Sequence, residues 1–139
     1  MRRTTLKAGR RARILIVDDE PDNRELLAVV LGHEGFVTES VAGGEEALAS
    51  VAREPPDLIL LDIMMPGMSG YEVAVKIKAD PATSNIPVLM MSALDDRSAR
   101  ALAATAGADA FFSKPMRRVD ICARVREYLA SSLLLLPAV

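Results

Sequence analysis

Asp18, Asp19, Asp62, Ser92 and Lys114 each close a short run of apolar residues. ARILIV at 12–17 runs into Asp18, Asp19 and Glu20, and LILL at 58–61 stops abruptly on Asp62. PVLMM at 87–91 ends in Ser92-Ala93, and Ala110 to Phe112 leads into Ser113-Lys114-Pro115. A carboxylate beside a dry apolar run needs a reason, because an unpaired charge there is costly. Taken alone, Asp62 reads equally as a turn cap, a cation ligand or a nucleophile. The whole set is more specific. Three clustered carboxylates repel one another unless a hard cation sits among them, and Mg²⁺ with oxygen ligands and retained waters fits. One ammonium and one hydroxyl add a place for a phosphoryl group, neutralising its oxygens and donating a hydrogen bond. An aspartate can accept such a group as an acyl phosphate. That transfer needs positioning and charge stabilisation rather than acid–base chemistry. No Cys-His or Ser-His pair competes, and the one histidine, His33, falls at the solvent end of an expected helix.

The elements that must position these groups are legible from apolar patterning. Leu58 to Leu61, with Pro56 before and Pro66-Gly67 after, reads as a strand buried on both faces. The turn after it opens a helix from about Ser69, a suitable N-cap, to Ala79, closed by Asp80-Pro81. Pro21 fits the first turn of a helix whose stripe is Leu26, Leu27, Val30 and Leu31, ending near Gly32 and Gly35. FVTESV at 36–41 alternates as a half-buried outer strand. Gly43-Gly44 then breaks the chain before a helix that turns Ala47, Leu48 and Val51 inward. Asp95 to Ala106 predicts an Ala-rich helix with a thin stripe, ended by Gly107 and the least firmly packed element. The last helix carries Val119, Ile121, Cys122, Val125, Tyr128 and Leu129 at helical spacing. Five strands alternating with five helices imply a parallel sheet covered on both faces. Parallel strands with right-handed crossovers bring the five polar groups to one crevice at their carboxyl ends.

Composition bounds the rest. A chain of 139 residues, half of them hydrophobic, suits one domain with one sizeable core. The single Cys122 excludes an internal disulfide and a Cys-based zinc site, and fits a reducing cytoplasm. No apolar run approaches the roughly 20 residues that span a bilayer. Residues 1–13 hold six cations (Arg2, Arg3, Lys7, Arg10, Arg11, Arg13) and no acid, leaving 11 Lys and Arg against 19 Asp and Glu, a balance of −8. An acidic body argues against direct nucleic-acid binding. The expected organisation is a basic flexible leader over 1–11, a globular domain over 12–130, and a leucine-rich tail or start of a linker over 131–139. Leu133 and Leu136 extend the last helical stripe before Pro137, so the tail reads either as frayed chain or as a contact surface for a partner.

VDDE at 17–20, LDIMMPGMSG at 61–70, MSA at 91–93 and KP at 114–115 together resemble the receiver domain of bacterial two-component response regulators, over about Ile14 to Leu129. The resemblance implies a flavodoxin-like (βα)5 three-layer α/β sandwich around a five-stranded parallel sheet of order 2-1-3-4-5. It implies that Asp62 is the phospho-acceptor, and that Asp19, Asp62 and the backbone carbonyl of Met64 ligate Mg²⁺, with Asp18 acting through water. Ser92 would be the switch hydroxyl, Lys114 the phosphoryl contact, Phe111 the switch aromatic and Lys114-Pro115 a cis peptide. Phe111 departs from the tyrosine pattern and has no hydroxyl to bond. Met64 and Leu94, both apolar, are expected to shield the acyl phosphate from water.

The expected activity is a phosphorylation-dependent switch, not an enzyme, with only self-directed phosphoryl transfer and hydrolysis. A sensor histidine kinase or His phosphotransfer domain would donate the group. The fourth helix, fifth strand and fifth helix would then present an altered surface to a downstream protein or C-terminal output domain. A homodimer is a further possible assembly; nucleic acid and membrane are not expected as direct partners, and the location is cytoplasmic. The alternative is a Mg²⁺-dependent aspartyl-phosphate phosphohydrolase acting on a small molecule, which would carry a second Asp where Met64 stands. A flavin carrier would need a hydroxyl- and glycine-rich phosphate loop after the first strand, where acids stand instead.

Overall fold

The computed structural model describes residues 10–94 and 96–131. In chain order the elements are β1 (Arg13–Val17), α1 (Pro21–His33), β2 (Val37–Val41), α2 (Gly44–Arg53), β3 (Leu58–Asp62), α3 (Gly70–Ala79), β4 (Val88–Ser92), α4 (Arg97–Thr105), β5 (Ala110–Ser113) and α5 (Arg118–Ser131). All strand pairs are parallel, and the order across the sheet is β2-β1-β3-β4-β5. This is the expected architecture, with β3 at the centre and β2 at one edge.

Side-chain alternation along the strands divides the core in two. Ile14, Ile16, Leu58, Leu60, Leu89 and Met91 face α1 and α5, meeting Leu27, Leu31, Val125 and Leu129. The intervening residues Leu15, Val17, Ile59, Leu61, Val88 and Met90 face α2, α3 and α4. Every residue of β3 and β4 is buried, which is why those runs are continuously apolar up to their polar ends. Each fully buried Leu or Ile contributes about 1.5–3 kcal/mol of transfer free energy.

Most local signals act where they are expected. Ser69 caps α3 as expected, accepting a hydrogen bond from Glu72 N. Helix α4, by contrast, begins only at Arg97, because Asp96, expected inside the helix, is its extended N-cap and accepts from Ala99 N. Gly107 ends the α4 segment at φ +98°, a conformation that side chains resist. Within α4 only Ala99 and Ala103 are buried, so the helix offers the core two methyl groups. Two stripe assignments are corrected: Leu26 on α1 is 53% exposed and Val119 on α5 is 68% exposed. Each lies on the flank of its helix, outside the cluster that α1 and α5 form with the sheet.

Of the basic segment, residues 10–13, with Arg10, Arg11 and Arg13, are described. The Arg10 guanidinium makes a two-pronged pair with Asp57 at 2.8 and 2.9 Å, and Asp57 also accepts from Arg13 N at 2.7 Å. The expectations for Leu133, Leu136 and Pro137, and for Asp95 as the first residue of the Ala-rich helix, lie outside the described residues.

Candidate functional site

β1, β3, β4 and β5 deliver their terminal polar residues to one edge of the sheet. Asp18 follows β1, and Asp62 and Ser92 are the last residues of β3 and β4. All three are buried. Lys114, one residue past β5, is fixed by its backbone N–H, which donates to Ser92 O at 2.9 Å. The Lys114–Pro115 peptide is cis, as the family resemblance implies. From that position the ammonium reaches Asp18 Oδ2 at 2.9 Å and Asp62 Oδ1 at 3.3 Å.

Asp18 is held on all sides. Its carboxylate accepts from Glu20 N at 3.0 Å, from the Asn23 amide and from Lys114, while Arg24 donates to its carbonyl at 2.7 Å. Asp19 is half-buried and close enough to Asp62 to help push its carboxyl upward. Burial is the main reason that the Asp62 carboxyl is pushed up to about 7; the charge of Asp18 adds to this and Lys114 opposes it. Burial also works against the Lys114 charge, but its hydrogen bond to Asp18 and the charge of Asp62 outweigh it and hold the ammonium above its ordinary value. Lys114 is therefore a permanent cation between two acids.

Asp18, Asp19 and Glu20 present carboxylate oxygens all within 4.8 Å of one another. An all-oxygen, acidic donor set opening to solvent through the exposed Glu20 fits a hard divalent cation such as Mg²⁺. Glu20, Asn23 and Arg24 are the site residues for which the sequence suggested no role. Their signal is local, since all lie within six positions of Asp18 at the start of α1.

Ser92 Oγ accepts from Leu94 N at 3.0 Å, so the hydroxyl organises the loop leading to α4. Phe111 is half-buried on β5, paired with Met90 two residues before Ser92, and the Arg100 guanidinium lies 4.7 Å above its ring centroid. Met64 and Leu94 are 60% and 53% exposed on the loops that follow β3 and β4. No acid stands at position 64, where the phosphohydrolase alternative would need one.

A buried Asp at the end of a central parallel strand, bridged by a Lys to an acid cluster, agrees with the sequence match. Residues 14–126 match the family described as "Response regulator receiver domain". The chain belongs to that family. It is 47% identical over 115 residues to the response regulator PleD of Caulobacter vibrioides, a match covering 83% of this chain and 25% of PleD. It is 42% identical over 119 residues to the DNA-binding response regulator MtrA of Mycolicibacterium smegmatis, covering 86% of this chain and 51% of MtrA. The chain thus spans about a quarter to a half of these relatives. Among solved structures, a response regulator from Chloroflexus aurantiacus superimposes with a TM-score of 0.82 at 34% identity, covering 86% of this chain and 98% of that one. As a receiver domain of the two-component type, the protein is a signalling module. No helix of the described residues is long and apolar enough to cross a membrane.

Proposed function

We propose that Asp62 accepts a phosphoryl group from a phosphohistidine of a sensor histidine kinase or a His phosphotransfer domain. The Asp62 oxygen forms a P–O bond as the donor P–N bond breaks, and the bonding pair returns to the imidazole nitrogen. Lys114, already 3.3 Å from Asp62, neutralises the phosphoryl oxygens, and Ser92 donates its hydroxyl to them. Asp19, Asp62 and the Met64 carbonyl would hold Mg²⁺, with Asp18 acting through water. When bound, the ion supplies further charge neutralisation for the phosphoryl oxygens. The chain's own chemistry stops at self-directed transfer and hydrolysis.

The observation that carries this reading is the Lys114 ammonium bridging two buried carboxylates beside a third and fourth acid. Output follows from movement. Ser92 turns toward the new oxygens and releases Leu94 N, Phe111 fills the space behind it, and the α4–β5–α5 surface changes. The reader of that surface is a downstream protein, a second copy or an output domain, in a cytoplasmic setting, with residues 12–130 as the folding unit. Acetyl phosphate with Mg²⁺ tests the assignment: intact mass should show one added phosphoryl group in the natural protein and none in Asp62→Asn. Labelling of the Asp62→Asn variant at another residue overturns it.

A further inference from the structure

Helix α4 buries few apolar side chains and makes directional contacts to α3 and β5. The Tyr71 hydroxyl donates to Ala99 O at 3.3 Å, and the next residue, Arg100, covers the Phe111 ring at 4.7 Å. The only buried residues of α4 itself are Ala99 and Ala103, while Leu102 is 55% exposed. Tyr71 is also tied to the acceptor loop. It follows Gly70, where a Cβ would stand 2.3 Å from Asp62 O and 2.8 Å from Ile63 Cα, and Gly70 N donates to Ile63 O at 3.0 Å. Backbone therefore rests directly on backbone, so a shift at Asp62 is passed to the first turn of α3 and to the Tyr71 hydroxyl. This route to α4 uses neither Ser92 nor Phe111.

We propose that Tyr71 and Arg100 are positioning residues that clamp α4 in its resting place, Tyr71 linking α4 to the Asp62 backbone and Arg100 linking it to Phe111. The inference rests on the phospho-acceptor reading above and adds a second mechanical connection to it. A contact made only in the resting state biases the switch against the phosphorylated state, and its removal shifts the population the other way.

The test uses Tyr71→Phe and Arg100→Met, which keep the ring and the aliphatic stem, with Mg²⁺ and beryllofluoride standing in for the phosphoryl group. Each variant should bind beryllofluoride more tightly, by roughly threefold to tenfold for one lost hydrogen bond or cation–π contact. Amide exchange in α4 should quicken in the absence of beryllofluoride. Faster exchange with unchanged or weaker beryllofluoride affinity overturns the clamp and leaves both residues as packing. Unchanged exchange overturns it too. Failure of the natural protein to bind beryllofluoride at all overturns the acceptor reading instead.

Discussion

Lys114 Nζ stands 2.9 Å from Asp18 Oδ2, and it is this pairing, with Asp62 a further 3.3 Å contact, that lets two buried acids coexist. Removing one member of a buried pair leaves the other charge uncompensated. Lys114→Met should lower the stability of the metal-free protein at pH 8 by roughly 2–4 kcal/mol, measured by urea unfolding in EDTA. The loss should shrink at pH 5.5, where Asp62 takes up a proton. Phosphorylation by acetyl phosphate should slow by roughly tenfold to a thousandfold, the range for losing one preorganised charge-stabilising group.

The sign of the Asp62 effect on stability is set by its upward displacement from 3.8 to about 7. The folded state holds that proton more tightly than the unfolded chain, so the contribution is fully present below about pH 4 and disappears as pH rises through 7. Without metal, the natural protein should lose stability across this window relative to Asp62→Asn. At pH 8 the variant should be the more stable by roughly 1–3 kcal/mol, read from unfolding curves in EDTA. Parallel curves from pH 4 to 8 would show that Asp62 titrates normally.

Met64 and Leu94, more than half exposed, stand on the loops flanking the acceptor. Met64→Asn combined with Leu94→Asn should admit water and shorten the phosphoryl lifetime severalfold, followed by loss of radiolabel after the donor is removed. The Leu94 backbone bond to Ser92 survives the change. An unchanged lifetime would remove these side chains from the shielding role.

Gly70→Ala places a methyl group against the Asp62 carbonyl, a clash of backbone with side chain that no rotamer relieves. Overpacking of this kind should cost about 1–3 kcal/mol or more and slow phosphorylation through displacement of Asp62. Denaturant midpoints and labelling rates measured on one preparation separate the two effects.

At the opposite edge of the sheet, Asp57 is buried while its partner Arg10 is 54% exposed. Arg10→Ala should therefore cost less than about 1 kcal/mol, as expected of a largely solvated pair. Asp57→Ala also orphans the Arg13 N–H and should cost about 1–3 kcal/mol. Equal losses in urea unfolding would mean that the guanidinium, not the backbone donor, dominates.

Much of this molecule is written in local order. The buried runs at Leu58–Leu61 and Val88–Met91, the capping Ser69, the terminating Gly107 and the thin Ala99–Ala103 face of α4 all follow from side-chain period and turn chemistry. The same patterning places Asp18, Asp62, Ser92 and Lys114 at the carboxyl edge, because each ends a parallel strand. What local order does not contain is which group touches which. That Lys114 bridges Asp18 and Asp62, that Glu20 and Asn23 gather around Asp18, that Tyr71 reaches Ala99 and that Arg10 pins Asp57 depend on sheet register and on the angles at which helices lie against it. Leu26 and Val119 make the same point from the surface: a helical stripe has a width, and only the neighbouring element decides where burial ends. Periodicity is a property of a few consecutive residues, whereas the site is made by contacts between segments that meet only after the sheet has formed.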